Sequence, residues 1–502
     1  MKVYLMHPDR DYDPTPALPP QSETLAQDLE LDTLLSAMAR EDRFLYDTAR
    51  HALLSGADDP EVVRYRQDIL QDCLRNPQVI RDLYEIPLAA IRERQKRWLG
   101  IFGHNPGAVL SSALGMLEML VPRVRELRQI ADAHGAAFQS VGFRRFFAMV
   151  EAELDDEFFQ AVATHLRELQ FRGGALLSVD LGKGNEGTHY VLRKPNHHGQ
   201  RWLRRVFATR SPTYSFSIHP RDEHGARMLD ELRDRGLNLV ANAVAQSADH
   251  IESFLTAMRV ELAFYVACLN LSERLSELGA PIAIPEVAPM GEIQHRAKGL
   301  YDPCLALTLK ARAVGNDLEA DGKPLVFITG ANQGGKSTFL RSVGLAQLMM
   351  ECGMFVGAES FTANMCRGLF THFKREEDTS LKSGKLDEEL ARMSTIVDML
   401  SPGCVVLFNE SFAATNEREG SEIARQIVSA LLERRIKVFY VTHLYELAHG
   451  FFAQGPETAA FLRAEREADG TRTYRLLEGE PLQTSFGEDL YRTVFEQNGV
   501  PE

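Results

Sequence analysis

At 502 residues, 44% of them hydrophobic and 25% charged, the chain has room for about three domains of ordinary globular composition, which excludes collagen, wholesale disorder and a membrane protein. The net charge of -14 excludes whole-surface attraction to nucleic acid, because a polyanion repels a polyanion unless the basic residues are gathered in one place. The opening stretch MKVYLMHPDRDYDP carries no apolar run before its charges. With no stretch approaching the roughly 18 apolar residues of a membrane span, a cytoplasmic chain with no membrane partner is expected. Cys73, Cys268, Cys304, Cys352, Cys366 and Cys404 form no CxxC pair, so they read as small hydrophobes in a reduced compartment.

Residues 29–300 read mainly as helix. Leu117, Leu120, Val121, Val124, Leu127, Ile130 and Ala131 recur at helical spacing, with Pro122 expected to kink or restart the helix. A heptad-like seam follows in Val240, Val244, Ala248, Ile251, Leu255, Met258, Leu262, Tyr265 and Leu269. A helix over 239–278 would run to roughly 60 Å, which suits a coiled-coil arm, a lever or the core of a large bundle. Between these helices, residues 173–219 are rich in Gly and in alternating runs at 188–192 and 213–218 that predict strands. Here the positive charge gathers. Arg172, Lys183, Arg193, Lys194, Arg201, Arg204, Arg205 and Arg210 face only Asp180 and Glu186, so this stretch carries +6 and the rest of the chain -20. A small basic β module of this kind suits contact with backbone phosphates.

Past the Pro-containing joint at 279–285, short β runs at 325–329, 405–408 and 438–441 alternate with helical segments. That alternation predicts a mostly parallel α/β sheet. The first run leads directly into Gly330-Ala331-Asn332-Gln333-Gly334-Gly335-Lys336-Ser337, followed by Thr338 and a helical stretch to 350. This is GxxxxGKS between a strand and a helix, where backbone N–H groups and the helix N-terminus face phosphates. Lys336 would reach the β and γ phosphates, and the Ser337 hydroxyl would ligate Mg²⁺. The second run ends in Asn409-Glu410. An apolar strand ending in a carboxylate holds the Mg²⁺ shell and orients water in a P-loop enzyme, which makes Glu410 the candidate general base and Asn409 a metal-shell residue. The third run ends at Thr442-His443, and His443 is the candidate sensor of the γ phosphate. ATP and Mg²⁺ are the expected cofactors.

Together these motifs resemble the MutS family of DNA mismatch repair ATPases. The run ITGANQGGKSTFLRSVGLAQLMMECGMFVGA is similar to that family's P-loop helix. Val314-Gly315-Asn316-Asp317-Leu318 resembles its V-x-N-D segment near the adenine, implying that Asn316 contacts nucleotide. Ser383-Gly384 with Glu389 resembles the signature loop, which implies that Ser383 completes a partner subunit's ATP site in a homodimer. ESFAATNEREG stands where the family has E-x-G-x-G-T-S-x-x-x-G, and Thr442-His443 with Glu446-Leu447 matches T-H-x-x-E-L. Two departures matter. Asn409 replaces an Asp and Phe412, Ala413 and Ala414 replace glycine-bearing positions, which puts the normal hydrolysis rate in doubt while leaving ATP binding. No Phe-x-Glu stands ahead of residue 300, where a wedge would lie, and the helical core starts within about 30 residues, so the resemblance implies a truncated relative without the mismatch reader and connector. Little room remains after Gly487 for a dimerisation tail or a nuclease domain.

The expected fold class is therefore α + α/β. A long-helix core/lever domain over 1–299 carries a β clamp-like module at about 173–219, and an ABC-type P-loop ATPase domain follows over 300–502. DNA is the expected partner, held through its backbone by Lys183, Arg193, Lys194, Arg201, Arg204 and Arg205. The alternative is a nucleotide-gated module that hydrolyses weakly and acts on a protein or a structured RNA. A third reading is a relative of the branch that acts on recombination junctions or stalled ribosomes.

Overall fold

The computed structural model describes residues 1–57, 59–96, 105–171, 174–194, 214–289, 293–375, 384–455, 457–467 and 471–483. They form two compact units, each discontinuous in sequence. Met1–Val3, Arg81–Phe138 and Arg144–Arg259 build the first, while Tyr4–Ile80, Gln139–Phe143 and Val260–Glu502 build the second.

The first unit is helical except for one hairpin. Its helices include Pro106–His134, Val141–Glu153 and Asp156–Glu168, which start on the side-chain caps or turn residues their sequences supply. Asn105 accepts from Ala108 N, and Asp155 from Phe158 N. Pro122 lies inside Pro106–His134, and the helix does not restart there as expected. The hairpin pairs β1 (Leu176–Leu181) antiparallel to β2 (Gly187–Arg193). It is anchored through Leu192 beside a core of Leu110, Leu114, Leu237 and Ala241. Of the expected strand at 213–218, the described residues 214–218 form no strand, and Tyr214 and Phe216 are 91% and 84% exposed.

Helix Glu223–Glu277 supplies residues to both units, as Pro77–Lys96 and Val141–Glu153 also do. Its 55 residues span about 80 Å at 1.5 Å per residue, longer than the heptad pattern indicated because it begins well before Leu239. From Ala248 onward every seam residue is buried, and residues 261–271 are buried on all sides. That burial explains a correction to the sequence reading. Helices over Pro106–Ala137 and Glu223–Glu277 each contain an 18-residue window apolar enough to cross a membrane by composition, and 78% of the second window is buried in protein. A helix apolar all round is what a protein core requires.

In the second unit, helices Ser22–Asp28, Leu31–Ala39, Arg43–Ser55 and Pro60–Arg75 accompany an α/β layer. Ten more strands are β3 (Glu286–Val287), β4 (His295–Leu300), β5 (Asn316–Glu319), β6 (Leu325–Gly330), β7 (Ser360–Ala363), β8 (Leu369–Phe373), β9 (Val405–Asn409), β10 (Lys437–Val441), β11 (Ala459–Arg466) and β12 (Arg472–Glu478). The main sheet runs β12-β11-β6-β10-β9-β8, with only β12 antiparallel to its neighbour. The smaller sheet runs β3-β7-β4-β5. Strands buried on both faces explain why 325–329, 405–408 and 438–441 are unbroken apolar runs. Helices Lys336–Glu351, Lys385–Met399, Glu417–Glu433 and Tyr445–Gln454 alternate with them.

Two buried charges fix the N-terminal segment of this unit. Glu261 accepts backbone N–H bonds from Leu5, from Met6 at 2.8 Å and from Tyr12 at 2.9 Å. Arg66 donates to Met6 O at 2.8 Å, to Cys352 O at 3.3 Å and to His7 Nε2 at 3.0 Å. Burial and the Arg66 charge push His7 down to about 4, so its imidazole is the neutral acceptor this geometry needs. Burial pushes the Glu261 carboxyl up to about 7, against the three N–H bonds that favour its ionised form. Because this pKa lies above the ordinary carboxylate value, its contribution to stability is full below that value and is lost as pH rises to about 7. Glu261→Gln should lower the melting temperature, since its amide N–H₂ must face a backbone N–H, at a cost of about 1–3 kcal/mol. It should also flatten the dependence of melting temperature on pH between about 5 and 7.5. Parallel pH profiles in thermal melts of variant and wild type would contradict this account.

Candidate functional site

Parallel pairing places the C-terminal ends of β6, β10 and β9 on one edge of the main sheet. Val441 pairs with both Ile328 and Asn409, Thr442 N donates to Ile328 O at 3.1 Å, and Glu410 N donates to Val441 O at 2.9 Å. Open α/β sheets bind ligands at this edge. The three sequence motifs therefore converge, although they are separated by up to 113 positions between Gly330 and His443.

The glycine-rich loop leaves β6 with Gly330 at φ 103°, where a Cβ would lie 2.8 Å from Ala464 N. Only glycine fits that left-handed turn beside β11. Helix Lys336–Glu351 starts at the end of the loop, so its first N–H groups and positive dipole end face the space above the sheet. Lys336 folds back over the loop, and Nζ donates to Gly330 O and Ala331 O, both at 2.9 Å. Burial lowers its pKa, with Glu410 opposing the shift and Arg472 adding to it. Arg472 Nε donates to Asn332 O at 3.3 Å, tying β12 to the loop.

Ser337 Oγ donates to Asn409 Oδ1 at 2.8 Å. This bond crosses over β10 and brings together two of the three residues expected to hold Mg²⁺, the third being Glu410. Glu410 lies beside them at φ 53°, with its carboxylate 4.0 Å from His443 Nδ1. Asn409 leaves an amide oxygen, not a carboxylate, against the Ser337 hydroxyl. Hydroxyl, amide oxygen and the Glu410 carboxylate form an all-oxygen donor set of the kind that suits Mg²⁺.

A cleft of about 590 Å³ runs from this loop. Asn332, Gln333, Gly334, Gly335, Lys336, Ser337, Thr338 and Glu410 line its polar end, and Leu300, Tyr301, Leu305, Leu309, Ala313 and Val314 its apolar end. Tyr474, Asn316, Asp302, Arg312, Phe339 and Ser342 complete the wall. A polar end rich in N–H donors joined to an apolar end fits a nucleoside triphosphate. Gly330 and Ala331 act through their carbonyls on Lys336 and are not among the cleft-lining residues.

Asn316 reaches the cleft in a different role from a free nucleotide contact. Its Nδ2 donates to Tyr474 O at 3.2 Å and its Oδ1 accepts from Leu476 N at 2.7 Å, so both ends of the amide hold β5 to β12. Tyr474, in left-handed backbone at φ 59° and half exposed, is thereby placed in the cleft wall. Sequence reasoning missed Tyr474, Tyr301 and Arg312. Tyr474 sits in RTYRLLE, whose alternation could have identified a strand but not its neighbour 158 positions away.

Of the expected DNA contacts, Lys183, Arg193 and Lys194 are described, and Arg201, Arg204 and Arg205, like Ser383 of the nucleotide set, lie outside the described residues. Lys183 occupies the turn of the hairpin, while Arg193 sits at its open end opposite Leu176. At about 3.3 Å per residue these ends are roughly 20 Å apart. Arg193 Nε donates to Ser178 Oγ at 3.0 Å, and Lys194 pairs with Glu168 at 2.8 Å. The three basic residues are exposed but are not one cluster.

Comparison with known proteins gives two family models. One, described as the MutS2 N-terminal domain, matches residues 58–278, and the other, MutS domain V, matches residues 326–500. The DNA mismatch repair protein MutS of Syntrophomonas wolfei is 31% identical over 193 residues, 38% of this chain and 22% of that protein. The protein of the same name from Thermus thermophilus is 29% identical over 240 residues, 45% of this chain and 28% of that protein. The chain thus spans about a quarter of the length of these relatives.

The tether at Asn316 can be tested directly. Asn316→Ala leaves Leu476 N and Tyr474 O without their partner, which should cost about 1–3 kcal/mol of stability. It should also weaken nucleotide binding by displacing β12. A thermal melt combined with a fluorescent-nucleotide titration reads both, and unchanged affinity would remove Asn316 from the site.

Proposed function

Since the chain belongs to the MutS family, we propose that it is an ATPase that binds DNA, with ATP binding and hydrolysis coupled to clamping of the duplex in mismatch repair or a related repair or recombination process. The observation that carries this reading is the 2.8 Å bond between Ser337 and Asn409 beside Glu410, at the mouth of the glycine-rich loop. The triphosphate lies along the N–H groups of Asn332 to Thr338, with Lys336 neutralising its terminal phosphates. Mg²⁺, when bound, adds positive charge at those phosphates, and Ser337, Asn409 and Glu410 are the residues that would hold it. Glu410 accepts the proton of the attacking water, and His443 faces the same terminal phosphate.

In this reading two chains meet through their ATPase domains, and each nucleotide site takes Ser383 from the partner. Nucleotide state then sets the geometry of the pair, and the long helix Glu223–Glu277 carries it towards the basic module. Contacts from Lys183, Arg193, Lys194, Arg201, Arg204 and Arg205 are to backbone phosphates, which position a duplex but carry no sequence or mismatch information. The curated relatives carry mismatch repair in their names, whereas the helical half matches a MutS2 description.

Three measurements test this proposal. Lys336→Ala should abolish ATP binding, and Glu410→Gln should keep binding but reduce hydrolysis by about 100-fold or more. Reversing the charges of Arg201, Arg204 and Arg205 should weaken DNA affinity and flatten its dependence on salt. Binding to duplex, junction and single-stranded DNA and to RNA, with and without ATP, distinguishes the partners. ATP-independent affinities throughout would refute the coupling, and a preference for RNA would move the chain to the nucleotide-gated alternative.

A further inference from the structure

The residues that follow the candidate general base adopt a backbone that their side chains disfavour. Glu410 has φ 53° and Phe412 φ 61°, both in the left-handed region where a non-glycine residue costs on the order of 1–3 kcal/mol and a bulky one is an outlier. Such a turn persists only where its surroundings over-determine it.

Three attachments from segments distant in sequence and one close approach from the helix that follows surround it. Tyr440 of β10 donates its hydroxyl to Ser411 O at 2.9 Å. The Ser411 hydroxyl sits 2.7 Å from His372 Nδ1 and 2.6 Å from His372 O, both on β8. Phe412 N donates to the Glu389 carboxylate at 2.6 Å, and the Phe412 ring stacks on His372 at 5.2 Å between centroids. Gly420, in helix Glu417–Glu433, lies so close that a Cβ there would be 2.4 Å from Phe412 O. His372 and Glu389 are themselves joined, since His372 Nε2 lies 3.0 Å from Glu389 O. Burial and neighbouring arginines push His372 down to about 4, so the ring is neutral with a single N–H, which at Nε2 donates to Glu389 O, while the Ser411 hydroxyl donates its one proton to His372 O. Ser411, Phe412, His372 and Tyr440 are completely buried, and Glu389 is 2% exposed.

None of these groups lines the nucleotide cleft. Their common effect is on where the turn holds Glu410. Glu389 is the only carboxylate in the set, and its bond to Phe412 N is made with a backbone donor of the turn itself. We propose that Glu389, seated by His372, is a positioning residue that latches the strained Glu410-Ser411-Phe412 turn and so aims the Glu410 carboxylate. The inference rests on the ATPase reading for its consequence in catalysis, while the latch itself is a statement about the turn.

The experiment compares wild type, Glu389→Ala and Glu389→Gln, the last keeping an amide oxygen as acceptor. Each is measured for kcat, for KM, for affinity towards a non-hydrolysable ATP analogue, and for amide hydrogen exchange in the peptide containing Phe412. Glu389→Ala should lose roughly tenfold or more in kcat, with analogue affinity within about twofold of wild type and faster exchange at Phe412. Glu389→Gln should restore most of both. Unchanged kcat and exchange in Glu389→Ala would overturn the proposal. So would parallel losses of kcat and affinity that Glu389→Gln does not repair, because these mark a general packing role. A wild-type protein that binds the analogue without hydrolysing ATP would sink the hydrolytic reading instead, and exchange at Phe412 would still decide whether Glu389 holds the turn.

Discussion

The candidate site depends on the parallel register of three buried strands. With Val441 paired to Ile328 on one side and Asn409 on the other, β6, β10 and β9 end level with one another. The glycine-rich loop, the Asn409-Glu410 corner and the Thr442-His443 corner consequently open on the same edge. The hydrogen bond from Ser337 to Asn409 then spans the middle strand, linking the first turn of the loop helix to the end of β9. A slip of one residue in β9 would turn Asn409 to the other face of the sheet and remove this contact.

Around that edge, buried polar groups join segments that local structure cannot join. Asn316 ties β5 to β12, Arg472 ties β12 to the loop, and Asp302 pairs with Arg341 of the loop helix, whose other partner is Glu30. Glu261 and Arg66 secure residues 5–12 elsewhere in the same unit. Where both groups are buried, as at Glu261 and Arg66, the tie satisfies groups that would otherwise lack partners, so truncating one end costs more than the bond itself contributes. The candidate cleft is thereby framed by segments from residue 300 to residue 474 that no single motif contains.

What could be read from the sequence was mostly what is local. The phosphate loop is a continuous string, and the three apolar runs emerged as adjacent parallel strands because burial on both faces leaves an unbroken signature. The seam from Val240 to Leu269 lies on the buried side of its helix, although the helix begins earlier at Glu223. Alternation at 213–218 misled over its described residues 214–218, since exposed Tyr214 and Phe216 carry a strand-like pattern with no partner strand among the described residues. The substitutions after Glu410 looked like a loss of glycine geometry. Yet Phe412 keeps a left-handed backbone, because His372, Glu389 and the hydrophobic core around Phe408 hold it there. Tyr474 and the double tether of Asn316 were invisible for the opposite reason, being set by strand order and not by spacing.

The charge pattern also takes a more specific form. The +6 of residues 172–210 is a property of the sequence. Among the described residues, however, Lys183 stands at one end of the hairpin and Arg193 and Lys194 at the other, and Lys194 is already paired. A backbone-phosphate surface in this region would therefore be spread along the hairpin.

The central claim is that Ser337, Asn409 and Glu410 hold a metal ion against a triphosphate bound by the glycine-rich loop. Its most direct test is calorimetric titration of wild type and Asn409→Ala with ATP, each in Mg²⁺ and in chelator. The account predicts that Mg²⁺ tightens binding to wild type and that the variant loses most of this gain while keeping its metal-free affinity. Equal affinities with and without Mg²⁺ in wild type, or an undiminished gain in Asn409→Ala, would contradict it.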